Sequence, residues 1–118
     1  MMTNGEVLQI ERGFWLEGVQ YFTEMLSPEA VMVFPPPVGV LKHGEILTSI
    51  EGASRWTDID IDAPHVVQHA GGMVAIVYRA TAHRRETSEP YRAMCSSVYI
   101  DEGTGPRLVL HQQTPIAE

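Results

Sequence analysis

The chain has 118 residues, 44% of them hydrophobic, and 15 acidic against 8 basic side chains give it a formal net charge of −7. That length suits one domain, 1–118, able to bury a core without covalent staples. An acidic chain with no Lys/Arg stripe repels phosphate backbones, which argues against nucleic acid as a partner. No apolar run approaches the roughly 18 residues that span a bilayer, so no membrane partner is expected. The single Cys95 makes no internal disulfide, and "MMTNGEVLQI" lacks the basic region and apolar run of a secretory leader; the expected location is cytoplasmic.

In chain order, Thr3 stands three residues before Glu6, the spacing of a helix capping box. Apolar residues then recur in steps of three, four and seven (Val7, Ile10, Phe14 and, offset by one, Leu8, Trp15, Val19, Phe22, Leu26), which predicts one long amphipathic helix from about Asn4 to Met25. "SPEA" (Ser27 to Ala30) reads as a cap and a single further helical turn. "AVMVF" is β-prone, and Pro35 to Pro37 stop it. "HGEILTSIEGA" predicts a second helix with Ile46, Leu47 and Ile50 on one face and Gly52 as its stop.

From Trp56 the period changes to two. Ile59 and Ile61 alternate with Asp58, Asp60 and Asp62, Pro64 marks a bulge or edge, and Gly71-Gly72 marks a hairpin. "MVAIVYRATAHRR", "YRAMCSSVYI" and "RLVLHQQT" complete four antiparallel strands. The order defines an α+β domain, a curved sheet with helices on its inner face. Val74, Ile76, Tyr78, Ala80 and Ala82 form one apolar row, but Met73, Ala75 and Val77 make the other face apolar too, which predicts burial on both sides and hence a homodimer.

The polar run after Leu110 holds the best candidate for chemistry. His111 is titratable, and Gln113 lies two residues away on the same side of the strand. A plainer alternative is that both bond neighbouring strands or a partner subunit, because the histidine has no carboxylate partner visible in sequence. His65 and His69 are four apart on a strand, about 13 Å, too far to share one ion; with no Cys or His-carboxylate cluster, no metal site and no cofactor are expected. The Asp58, Asp60, Asp62 series reads as the wet face of an edge strand. Cys95 reads as a buried structural thiol.

"FPPPVGVLKHGEIL" followed by the terminal "LVLHQQTP", in this order of elements, resembles the nuclear transport factor 2-like superfamily. That superfamily takes in ketosteroid isomerases, SnoaL-like proteins and small members of unknown function. The resemblance implies a cystatin-like cone: a curved antiparallel sheet wrapped on a long N-terminal helix with one or two short helices, open at one end as a pocket, in many members dimeric through the sheet. Laid on Pro37 to Gly39, the isomerase base falls on Pro36, and the second acid falls near Ser96; neither can do that chemistry, so steroid-type isomerisation is disfavoured. The cone would be lined by Trp15, Phe34, Trp56, Tyr78, Tyr99, His111 and Gln113, a mostly apolar site for a small apolar or aromatic molecule. The Val109, His111, Gln113 row is expected to face the pocket, with Leu108 and Leu110 toward a partner subunit; the competing assignment puts the leucines in the core and His111 at a dimer interface. Two readings stand beside small-molecule binding: a dimeric interaction module with a filled cone, and an isomerase, cyclase or hydrolase using His111.

Overall fold

The computed structural model describes residues 2–117. Helix α1 (Asn4–Leu16) starts where the capping box predicts, with Glu6 N–H donating to Thr3 Oγ1 (3.1 Å) and Thr3 N–H to Glu6 Oε1 (2.9 Å). The expected single helix to Met25 is interrupted. α1 ends at Leu16, Glu17 and Gly18 are extended, and a short α2 (Val19–Met25) follows. Gly18 gives the helix the least support of any residue there, and the break folds Phe22 and Tyr21 back against Phe14, each in an edge-on ring contact of 5.0–5.2 Å.

Close approach at Gly13 makes this fold-back possible. A Cβ on Gly13 would stand 2.3 Å from the Tyr21 ring, whose hydroxyl is fixed by a 2.8 Å bond to the Ile10 carbonyl.

The expected helical turn at Ser27 to Ala30 is instead part of strand β1 (Leu26–Val33). Pro28 is tolerated there because the ladder to the last strand shifts register between Leu26 and Val31, so its missing N–H breaks no bond. A short β2 (Val40–Lys42), unforeseen in the sequence, pairs with β1 and leads into α3 (His43–Ile50). Then come β3 (Asp58–His69), β4 (Met73–His83), β5 (Tyr91–Asp101) and β6 (Pro106–Pro115). Among the described residues the six strands form one sheet in the order β2-β1-β6-β5-β4-β3, antiparallel except where β1 lies parallel to β6. β3 is an edge with Asp58, Asp60 and Asp62 exposed, and its register shifts between Asp62 and His65, around Pro64.

One sheet face carries the core. Val74, Ile76, Tyr78, Ala80 and Ala82 are all buried beneath the helices, and Cys95 with them. Leu108 joins this core, contrary to the expectation that it faces a partner: Tyr99 pairs with Leu108 and Val98 with Leu110, so Val109 is an extra residue and the strand changes phase. A bulge therefore puts both Leu108 and His111 inside, while Leu110 is exposed.

The Gly13–Tyr21 contact makes a test of the helix break. An alanine gains helix propensity, about 1 kcal/mol over glycine, but must displace the bonded Tyr21 ring. Gly13→Ala is expected to lower stability by about 1–3 kcal/mol in urea unfolding; a more stable variant would contradict the packing described.

Candidate functional site

The inner face of the sheet places polar groups in register beneath α1. Cross-strand pairing sets Ile76, Ser97, His111 and Met32 side by side across β4, β5, β6 and β1. Tyr78 is the diagonal neighbour of Ser97 on β4, and Tyr99 lies two residues beyond Ser97 on β5, so three hydroxyls and an imidazole converge on one patch.

Into that patch α1 lowers Glu11, a carboxylate only 1% exposed. Its Oε2 accepts from Tyr78 (2.5 Å) and Ser97 (2.8 Å), and its Oε1 accepts from Tyr99 (2.6 Å). Trp15 Nε1 donates to the Tyr78 hydroxyl at 2.8 Å. His111 Nδ1 lies 2.7 Å from Ser97 Oγ and 3.5 Å from Glu11 Oε2, so the hydroxyl is its near partner and the carboxylate acts on it through charge. His111 Nε2 meets Gln113 Oε1 at 3.0 Å, and Gln113 Nε2 donates to the Tyr91 hydroxyl at 2.9 Å.

The hydrogens follow from this geometry. Gln113 gives its amide N–H to Tyr91, so its oxygen accepts and His111 Nε2 is the donor. Ser97 has one hydroxyl proton and spends it on Glu11, so Nδ1 must donate to Ser97. A ring protonated on both nitrogens satisfies both partners, and the Glu11 charge beside it favours this imidazolium form. Burial pushes the Glu11 carboxyl up, but the close approach of the His111 ring, with the Tyr78 and Tyr99 hydroxyls, outweighs it and holds the carboxyl below its ordinary range. Burial likewise pulls His111 down, and Glu11, with Gln113, overcomes it and leaves the imidazole above its ordinary value. Burial, and then the Glu11 charge, raise Tyr78 and Tyr99 well above the ordinary phenol value and push the Cys95 thiol up to about 12.

Beside this network lies a cavity of about 430 Å³. Trp15, Phe34, Trp56, His111 and Gln113, five of the residues expected to line the cone, do line it. Tyr78 and Tyr99 do not; they lie behind it, fully buried and turned onto Glu11. Phe14, Phe22, Met32, Ile46 and Ile50 add apolar wall, and Tyr91 stacks on Trp56 (5.2 Å between centroids). Arg55 and Arg84 stand on the same wall. Arg55 is anchored to the end of α1 through the Phe14, Trp15 and Glu17 carbonyls (2.6–2.8 Å), and Arg84 lies over the Trp56 ring at 3.9 Å. The arrangement can hold an apolar body and present it with a proton donor, His111 Nε2, once Gln113 turns aside.

Glu11 is the residue sequence reading missed, and a signal existed. Val7, Glu11, Phe14 and Trp15 share the buried face of α1, so a carboxylate in the apolar stripe was itself the clue. The isomerase positions hold no acid: Pro36 is an exposed loop residue, and Ser96 faces outward, accepting from Gln112 Nε2 at 2.8 Å, while Ser97 points inward.

No family profile matches the sequence, and no curated protein matches it. Solved structures match along nearly its whole length. An NTF2-like protein from Cytophaga hutchinsonii superposes with a TM-score of 0.79 at 10% identity over 98% of this chain and 100% of that one. A proposed ketosteroid isomerase from Parabacteroides distasonis gives 0.78 at 12% identity over 94% and 86%. A proposed calcium/calmodulin-dependent protein kinase type II association domain from Thiobacillus denitrificans gives 0.74 at 16% identity over 98% and 96%.

The proton held by the buried pair gives stability a pH dependence. A group that binds its proton more tightly when folded stabilises most at low pH. His111 therefore contributes fully below its ordinary 6.5, and the contribution fades as pH rises through its higher folded value. Glu11 contributes fully above its ordinary 4.5 and loses its contribution as pH falls through its lower folded value. Thermal unfolding is expected to be highest between those two values and to decline on the alkaline side. Glu11→Gln should cost about 3–5 kcal/mol inside that window, as for a broken buried pair, and should remove the alkaline decline; an unchanged pH profile would contradict the pairing.

Proposed function

The fold of this chain is the nuclear transport factor 2-like, or cystatin-like, fold, an α+β arrangement of helices on a curved six-stranded sheet, and from that premise we propose that the protein binds a small apolar or aromatic molecule in its cone. The observation that carries this is the cavity itself. Its volume falls within the range of small-molecule sites, and its walls are mainly aromatic and aliphatic, with the bonded pair His111 and Gln113 and the side chains of Arg55 and Arg84 as polar groups. Trp15 and Tyr91 on its wall are the two ends of the hydrogen-bond chain through Glu11, so the pocket is held in shape before any ligand arrives. Steroid-type isomerisation does not belong to this reading, because neither Pro36 nor Ser96 offers an acid or base to the cavity.

Both tryptophans of the chain, Trp15 and Trp56, stand on the cavity wall and report its occupancy. Titration with 4-tert-butylbenzyl alcohol is expected to change their emission saturably. Trp56→Ala, followed by calorimetry, should weaken binding about tenfold, the scale of one lost aromatic contact. A linear, non-saturating response to this alcohol and to 4-tert-butylbenzoate alike would refute the pocket reading.

A homodimer through the outer sheet face is the second part of the proposal. Val67, Ala75, Val98, Leu110 and Val31 pair across all of the long strands and β1 in one continuous apolar row, and Val67 and Leu110 are well exposed. Burying that row removes apolar area from water at about 25 cal/mol per Å². The association-domain neighbour is in keeping with assembly by this fold. Light scattering should give twice 13.1 kDa for the native protein and 13.1 kDa for Leu110→Lys; a native species of 13.1 kDa at micromolar concentration would reject the dimer.

A further inference from the structure

The charges around the cavity are all of one sign. Arg55, Arg84 and the His111 imidazolium reach its wall, and among the described residues no Asp or Glu lines it, although the chain as a whole carries −7. Glu11 is kept behind His111 and out of the cavity. Glu86 accepts from the hydroxyl of the lining Ser54 at 2.8 Å and does not itself line the cavity.

Both guanidiniums also have unused donors. Arg55 spends Nε and Nη2 on the three α1 and post-α1 carbonyls, which fixes the group and leaves Nη1 without a hydrogen bond among the described residues. Arg84 lies over the Trp56 ring, and among the described residues no hydrogen bond occupies its edge. A guanidinium stacked on an aromatic face keeps its in-plane N–H fork available, the geometry that matches a carboxylate. The two cations also crowd one another: burial first, and then the Arg84 charge, pull Arg55 below its ordinary value, a strain that an anion between them relieves.

We infer that the ligand of this cavity is a small aromatic or branched carboxylic acid, its apolar body packed between Trp15, Phe34 and Trp56 and its carboxylate held by Arg84 and the free edge of Arg55. This rests on the pocket reading above and narrows it to one chemical class. Selection comes from the rim: a neutral molecule of the same shape leaves the two guanidiniums unpaired, whereas an acid neutralises them in a partly desolvated site where a charge-assisted bond is strong.

The test compares matched probes by calorimetry on the full chain: 4-tert-butylbenzoate, 4-tert-butylbenzyl alcohol and 4-tert-butylphenyl phosphate. The benzoate is expected to bind at least tenfold more tightly than the alcohol. Arg84→Gln, an exposed position whose replacement leaves the core intact, should weaken the benzoate about tenfold and the alcohol at least threefold less than that. Equal binding of acid and alcohol, or a benzoate affinity indifferent to Arg84→Gln, would overturn the inference while the pocket stands. A phosphate tighter than the benzoate would overturn the carboxylate assignment in favour of a phosphate ester. Saturable binding by none of the three probes would defeat both the inference and the pocket beneath it.

Discussion

A carboxylate buried under a sheet is the constraint on which this molecule depends. Glu11 sits at the middle of α1, on the face that packs against β4, β5 and β6, and an unpaired charge there would be prohibitively unstable. Three strands answer it with Tyr78, Ser97, Tyr99 and His111, each in the register that brings its polar atom to the same point. Those bonds fix how far α1 descends and how it is rotated on the sheet. They also place a proton on His111 Nδ1, because Ser97 gives its single proton to the carboxylate and leaves Nδ1 to act as donor.

The consequences reach the cavity through a continuous chain of hydrogen bonds. It runs from Trp15 through Tyr78, Glu11, Ser97 and His111 to Gln113 and Tyr91, so two aromatic walls are tied to each other through the core. Such a network loses more when one member fails than a sum of single bonds suggests. It also sorts charge by depth. The negative group is sealed in, the positive ring faces the cavity, and the two rim arginines continue the same sign outward.

Periodicity carried the sequence reading a long way, and its failures share a cause. The capping box, the α3 stop at Gly52, the Pro64 irregularity and the four terminal strands were legible because each depends on neighbouring residues only. The break at Glu17–Gly18 was not, since apolar spacing alone runs on through it; what decides it is Tyr21 folding onto Gly13, a contact between two elements. The bulge at Val109 likewise inverted Leu108, because alternation assumes a strand without extra residues. His111 is a polar group that stands out in the sequence, but its partner Glu11 lies 100 residues away in the chain. Tyr78 and Tyr99 were placed on the right face and assigned to the wrong neighbour, for the same reason.

The charge state of His111 joins the core to the cavity, and nitrogen NMR of the imidazole measures it directly. At pH 6.5, the ordinary midpoint of the side chain, the ring should show two protonated nitrogens and remain mostly protonated as the pH is raised further. In Glu11→Gln the ring should be neutral at that pH. A neutral His111 ring in the native protein at pH 6.5, or a midpoint below it, would contradict the buried ion pair.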